Sequence, residues 1–276
     1  MRIDVLTLFP SVFEAFLAHG QLRIARDKGL LEVRCHDFRA FAVDRHKSVD
    51  DRPYGGGPGM VLMCGPIYDC DEQVTTEGRA AGLGEGPRRL LMSPRGRRLD
   101  QPLLEELARE PWLLLLCGHY EGVDERVRLG LGHEEVSVGD YVLSGGEVPA
   151  MAVIDGVGRL LPGVLGAPDG AHDDSFSRAG RLLEGPQYTR PRTFRGMEVP
   201  EVLLSGDHGA VARWRAQQAH DETRARRPDL LGAAAGARDA AAGTTPDTPN
   251  TTAKPRGAGE PTGPAHARGE EGASRP

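Results

Sequence analysis

The chain has 276 residues, 39% of them hydrophobic, and a formal charge of -6, which suits one large domain or two modest ones whose core needs no disulfide or metal. No apolar run is long enough to cross a bilayer, Asp4 sits where a signal peptide would be apolar, and Cys35, Cys64, Cys70 and Cys117 form no C-x-x-C pair. These features argue against a membrane protein, a secreted disulfide scaffold and a zinc module, and the expectation is a cytoplasmic protein with reduced, mostly buried cysteines.

In chain order, Ile3–Phe9 is predicted to be a strand ended by Pro10, after which Ser11 can cap a helix carrying Val12, Phe13, Phe16 and Leu17 at helical spacing. A second helix is expected over Gln21–Lys28, stopped by Gly29, and a strand over Leu30–Phe38. Next come a strand at Arg89–Met92, a helix at Pro102–Arg109 and the apolar run Trp112–Cys117, which suits a strand covered on both faces. A short helix at Asp124–Leu129, a strand at Glu134–Val138 and a helix at Glu147–Leu160 complete the alternation. Strands alternating with helices indicate an α/β domain around a mostly parallel sheet. Pro162–Asp174, rich in Gly, Pro and Asp, reads as a linker or mobile loop. A helical segment, then Val199–Ser205 and His208–Thr223, reads as a small basic helical domain. From Gly232 to Pro276 there is no Val, Ile, Leu, Met, Phe, Trp or Tyr, so this stretch is expected to be disordered.

The charge is unevenly spread. Residues 1–174 carry 19 basic and 28 acidic side chains, whereas residues 175–231 carry 10 arginines against 7 acids, so the second part is the one suited to nucleic acid. A further cluster, Arg88, Arg89, Arg95, Arg97 and Arg98, is either a phosphate-binding set or charge on solvated faces; composition alone favours the second. With only three lysines in the chain, phosphate contacts fall to the planar fork of arginine.

No G-x-G-x-x-G follows the first strand and no P-loop is present, which disfavours a phosphate-cleaving motor. Glycine is instead concentrated in four places, Gly55–Gly59, Gly118–Gly122, Gly139–Gly146 and Gly163–Gly170. Each lies beside a predicted strand or joins elements, where glycine lets backbone amides and carbonyls approach a ligand.

Six segments then carry a resemblance. Asp50-Asp-Arg-Pro-Tyr-Gly-Gly-Gly-Pro-Gly-Met60, Cys117-Gly-His-Tyr-Glu-Gly-Val-Asp-Glu-Arg126, Ser137-Val-Gly-Asp-Tyr-Val-Leu-Ser-Gly-Gly-Glu147, Asp173-Asp-Ser-Phe176, Tyr188-Thr-Arg-Pro191 and Pro200-Glu-Val-Leu-Leu-Ser-Gly206 resemble the bacterial tRNA (guanosine 37, N1) methyltransferases, in order and with the expected spacing from Met1 to about Leu231. The resemblance implies a SPOUT-type fold: a parallel α/β sheet with a deep trefoil knot over residues 1–161, a flexible linker at 162–175, and a small all-helical tRNA-binding domain at 176–231. The tail, 232–276, inherits no role. It also implies a homodimer with the active site at the subunit interface, S-adenosylmethionine as methyl donor, and tRNA with guanosine at position 37 as substrate. Two departures stand out: His119 where many members have Arg, and a longer tail.

Carried onto this chain, the donor-binding residues are Leu91, Met92, Ser93, Pro94, Gly118, Tyr120, Glu121, Val138, Gly139, Tyr141, Leu143, Gly145, Gly146 and Pro149. Guanine N1 carries a proton at neutral pH, so methylation asks for a base to remove it and a donor to stabilise charge on O6. By resemblance Asp174 is the base, Arg159 the O6 partner and Glu121 an acid beside the methyl donor, where it can face the sulfonium or support a metal; Mg²⁺ is an additional candidate. An ordinary aspartate, with a pKa of about 3.9, is a weak base unless desolvated or helped by such a donor, and the help from arginine is expected to dominate. His46, Asp50, Arg52 and Gly59 match positions implicated in substrate handling, and Arg190, Arg192, Arg195, Arg213 and Arg215 are candidates for phosphates of the anticodon stem. Tyr120 or Tyr141 can stack on a target base that leaves its helix. Two alternatives stand beside this reading: a SPOUT enzyme acting on ribose or ribosomal RNA, which needs no acid in the linker, and a catalytically silent RNA-binding protein.

Overall fold

A computed structural model describes residues 1–166, 174–177 and 180–232. The expected disordered tail beyond Gly232 and the middle of the expected linker lie outside the described residues. The chain runs β1 (Arg2–Thr7), α1 (Val12–Leu17), α2 (Gly20–Asp27), β2 (Glu32–Asp37), β3 (Asp50–Asp51), β4 (Val61–Leu62), α3 (Cys64–Ala80), β5 (Arg88–Arg98), α4 (Gln101–Leu107), β6 (Trp112–Cys117), α5 (Glu125–Leu131), β7 (Glu134–Ser137), α6 (Glu147–Gly158), β8 (Thr193–Phe194), β9 (Met197–Glu198) and α7 (His208–Arg226).

Five strands form one sheet in the order β2-β1-β6-β5-β7, and every neighbouring pair is parallel. The apolar run of β6 lies at the centre with all six side chains buried. The period of two divides it: Leu113, Leu115 and Cys117 pack with α1, α2, α4 and α6, while Trp112, Leu114 and Leu116 pack with α3 and α5. Polar groups are built into this core as well. Asp4, fully buried on β1, accepts hydrogen bonds from Arg2, His36 and Trp112. Burial alone would raise its pKa, but these donors outweigh burial and hold the carboxyl below its ordinary value.

Three differences from the sequence reading have physical causes. No element was expected between Met60 and Arg88, yet α3 fills 17 residues there. Its apolar positions Ile67, Cys70 and Val74 do have helical spacing, but the same buried face carries Asp71 and Thr75, which bond each other at 3.2 Å and accept from Arg89 on the neighbouring strand at 2.7 and 2.8 Å. Next, β5 runs on to Arg98, beyond the expected Met92, after a register shift against β7. Gly96 permits this, since a Cβ there would lie 2.2 Å from the Glu135 backbone. Finally, the expected all-helical region 176–231 is not all helical among the described residues: 181–189 have no regular secondary structure, and a two-residue hairpin, a 3-10 turn at Glu201–Leu204 and α7 follow. Gly185-Pro186 breaks any helix there, and the Thr223 hydroxyl accepts from the Leu183 amide instead.

The five-arginine cluster on β5 is largely committed to carboxylates. Arg88 pairs with Glu106, Glu110 and Glu134, Arg89 with Asp71, Arg95 with Glu125 and Glu135, and Arg97 with Glu106. The four cysteines are free thiols; burial pushes Cys70 up to about 12 and Cys35 up to about 11.

Candidate active site

At the C-terminal edge of the sheet, residues 91–95 of β5 and the segments that follow β6 and β7 enclose a cleft of about 500 Å³, where parallel sheets commonly bind ligands. All fourteen residues expected at the methyl donor line it. The cleft is made chiefly by backbone packed closely against backbone. The Gly146 amide donates to the Gly118 carbonyl at 2.9 Å, and a Cβ on Gly146 would lie 2.6 Å from Cys117 Cα. His119 and Gly145 form an isolated antiparallel bridge. Tyr120 adopts φ +57°, a left-handed conformation unusual for an aromatic residue. Its neighbours fix it there: the Gly122 amide donates to the His119 carbonyl and the Glu121 amide to the Met60 carbonyl.

The Glu121 carboxylate is exposed and forms no ion pair or side-chain hydrogen bond among the described residues, whereas Glu125 and Glu135 at the rim are neutralised by Arg95. It therefore presents an uncompensated negative charge beside the cleft. Gly59, expected at the RNA, lies directly against this side chain: at φ +81°, a Cβ on it would lie 2.3 to 2.7 Å from Glu121 Oε1, Cγ and Cδ. Asp50 pairs with Leu62 across β3 and β4, and His46 and Arg52 lie exposed, their amides bonded to Asp44 and Asp51. Of these four, Gly59 alone is placed against a residue of the cleft.

Arg159 and Asp174, fifteen residues apart, are joined by an ion pair, each side chain about one-third exposed. Arg159 caps the C-terminus of α6, whereas Gly146, in the cleft, caps its N-terminus. Thirteen residues of helix at 1.5 Å each separate them, about 20 Å. The pair and the cleft of one chain are thus at opposite ends of the same helix.

Of the five arginines expected at phosphate, Arg190, Arg192 and Arg215 line a second cleft of roughly 530 Å³ together with Tyr188. Arg192 is paired with Glu201 and Arg195 covers the ring of Phe194. Arg213 lies on a shallow groove of α7 with His220 and Arg224. Among the described residues no three of His, Cys, Asp and Glu converge as a metal would require, and no helix is long and apolar enough to cross a membrane.

The sequence reading missed a buried polar network beneath the cleft, in which Thr7, His119 and Glu147 join. Glu147 closes one of the family motifs and starts a helix, but its partners, far apart in sequence, leave no local pattern that joins them.

Residues 1–233 match the family described as tRNA (Guanine-1)-methyltransferase TrmD. The chain is 58% identical over 231 residues to a protein of Moorella thermoacetica named tRNA (guanine-N(1)-)-methyltransferase, covering 84% of this chain and 90% of that protein. Proteins of the same name from Geobacillus kaustophilus and Rhodopirellula baltica are 54% and 52% identical, over 84% of this chain and 91% and 94% of theirs. A match over nearly all of the described residues, with relatives above half identity and almost full mutual coverage, makes this chain a member of the tRNA (guanine-1)-methyltransferase family.

Proposed function

We propose that the chain methylates N1 of guanosine 37 in tRNA at a composite site, with the cleft from one copy and the Arg159–Asp174 pair from a second. The observation that carries this reading is the separation along α6. Neither Arg159 nor Asp174 lines the cleft of its own chain, and Arg159 stands about 15 Å along the helix beyond Pro149, the last α6 residue that does, whereas a two-fold dimer brings the far end of one α6 toward the near end of another. Exposed apolar residues around the cleft, Phe9, Val12, Val142 and Val148, support burial of this face against a second copy.

Family membership gives S-adenosylmethionine as the methyl donor, and the cleft fits it. The loops 91–94, 118–122 and 138–149 would hold it through backbone groups, and the unpaired Glu121 carboxylate suits a nearby cation. When bound, the donor supplies an electrophilic methyl group. The acid and the arginine then act on guanine, whose O6 and N1–H lie side by side, an acceptor next to a donor. Asp174 offers the matching acceptor and Arg159 the matching donor, so the ion pair between them is what the base edge replaces. Arg159 stabilises negative charge gathering on O6 while Asp174 Oδ takes the N1 proton, leaving the N1 lone pair to attack. Adenine presents the reverse pattern and leaves both side chains unpaired, a basis for selecting guanine. The trefoil knot, the boundaries at 161 and 175 and a tRNA-binding role for 176–231 belong to this proposal, with the exposed Arg190, Arg195 and Arg215 as phosphate contacts in the cytoplasm. Methylation of ribose or ribosomal RNA is not favoured.

Complementation tests the composite site. Co-expression of an Asp174→Ala chain with a Gly146→Val chain, each inactive as a homodimer, is expected to give mixed dimers with one working site and about half the wild-type activity per dimer. Mixed dimers as inactive as their parents would refute it, as would label from methyl-labelled donor recovered on ribose.

A further inference from the structure

Glu147 is an acid at the first position of α6, with 7% of its surface exposed, and both carboxylate oxygens are used. Thr7 Oγ1 donates to Oε1 at 2.6 Å and itself accepts from the Phe9 amide at 3.0 Å. His119 lies 2.8 Å from Oε2 through Nε2, and with the hydrogen on that nitrogen it donates. The ring of Phe9 meets His119 edge to face, centroids 5.0 Å apart. Three segments remote in sequence, the end of β1, the loop after β6 and the start of α6, are thereby tied at one carboxylate.

The tie is sterically exclusive. A Cβ on Gly145 would lie 2.3 Å from His119 Nε2 and 2.6 Å from Glu147 Oε2, so the glycine exists where the histidine and the acid meet. The α6 N-terminus has no side-chain cap, and Glu147 is the acid of its first turn, at the positive end of the helix dipole.

We infer that the Thr7–Glu147–His119 network is the positioning device that sets the two donor-binding loops, 118–122 and 138–149, at the separation S-adenosylmethionine requires. The inference rests on the donor site proposed above. His119 and Gly145 line the cleft, so a shift of the histidine moves Gly118 and Tyr120 on one side and Gly145 and Gly146 on the other. A buried carboxylate with both oxygens satisfied holds such a geometry more rigidly than packing alone, because any displacement leaves a charged group unpaired in a low dielectric. The arrangement leaves the Arg159–Asp174 pair untouched, so the device acts on the donor and not on the base.

Calorimetric titration of the full chain with S-adenosylhomocysteine tests this, alongside filter binding of tRNA and thermal unfolding. His119→Ala is expected to weaken S-adenosylhomocysteine at least tenfold, and Thr7→Val, which keeps shape and removes one hydrogen bond, about threefold. His119→Gln, whose side-chain amide can donate to Oε2, is expected to recover binding to within about threefold of wild type, and tRNA affinity is expected to stay within twofold throughout. Unchanged S-adenosylhomocysteine binding in His119→Ala overturns the inference. So does a parallel loss of both ligands with a lowered Tm, which marks a merely structural residue, or a failure of His119→Gln to recover. Because the titration does not depend on which base is methylated, wild-type chain that binds S-adenosylhomocysteine but leaves guanosine 37 unmodified would sink the proposed function while leaving this inference standing.

Discussion

The two ends of α6 solve different problems with different materials. At the N-terminal end the cleft is built from backbone, from glycines so close to their neighbours that no side chain can be added. At the C-terminal end Arg159 and Asp174 meet through side chains alone, partly in solvent. A backbone-built site resists side-chain truncation but fails when a methyl group is added. A site built from two charged groups shows the opposite sensitivity, since truncation removes the chemistry while the fold is left intact.

The largest expected effect breaks the second end only. Asp174→Ala is expected to lower kcat by about a thousandfold, within the range for loss of a general base, with S-adenosylhomocysteine affinity and Tm unchanged; equal loss of cofactor affinity in calorimetry would mean that the two ends are not separate. Next in size is a control that belongs to neither end. His133 is buried, its ring nitrogens have no side-chain partner among the described residues, and burial, opposed by the Asp71 charge and aided by Arg89, lowers its pKa to about 4. The unfolded chain takes up this proton as the pH falls through about 6.5, the folded chain only near 4, so stability declines as pH falls between those values and levels off below. The loss amounts to about 3 kcal/mol, to be read from denaturant unfolding at pH 7 and pH 4.5; His133→Leu is expected to flatten the slope and leave methylation at neutral pH alone.

Gly146→Ala sharpens the first end. The added methyl meets the Cys117 backbone, which cannot yield, so S-adenosylhomocysteine binding is expected to fall roughly 10- to 100-fold, the range for overpacking a close contact. Retained affinity in the same titration would remove the case for a backbone-built cleft. The smallest effect belongs to the proposed RNA surface. Arg215→Ala is expected to weaken tRNA about two- to fivefold, with the slope of log affinity against log salt shallower by about one, as for one lost phosphate contact, and donor binding unaffected.

How much was legible depended on how far apart the partners lie in the chain. β6 announced itself as six consecutive apolar residues, and the alternation of strand and helix was enough for the parallel sheet. The glycine clusters pointed to backbone recognition, and the cleft assembles two of the segments the motifs singled out, 117–126 and 137–147, with residues 91–95 of β5. The α3 helix was overlooked because Asp71 and Thr75 interrupt its apolar face, and only the tertiary fold supplies the Arg89 that satisfies them. The arginine cluster on β5 could be read two ways until its carboxylate partners, as many as 46 residues away, came into contact. Gly59 looked like part of an RNA loop because nothing local reveals that Glu121 occupies the space beside it.

By itself, then, the sequence determined the periodic elements, the layered α/β arrangement and the residue types able to do the chemistry, because these follow from local spacing and from motifs contiguous in the chain. Only the tertiary structure decided which charges neutralise one another, that Thr7, His119 and Glu147 share one carboxylate, and that the acid and the cleft sit at opposite ends of α6. The reason is physical: hydrogen bonds, ion pairs and steric exclusion act over a few ångströms in space, and residues more than a hundred positions apart become neighbours only when the sheet is assembled.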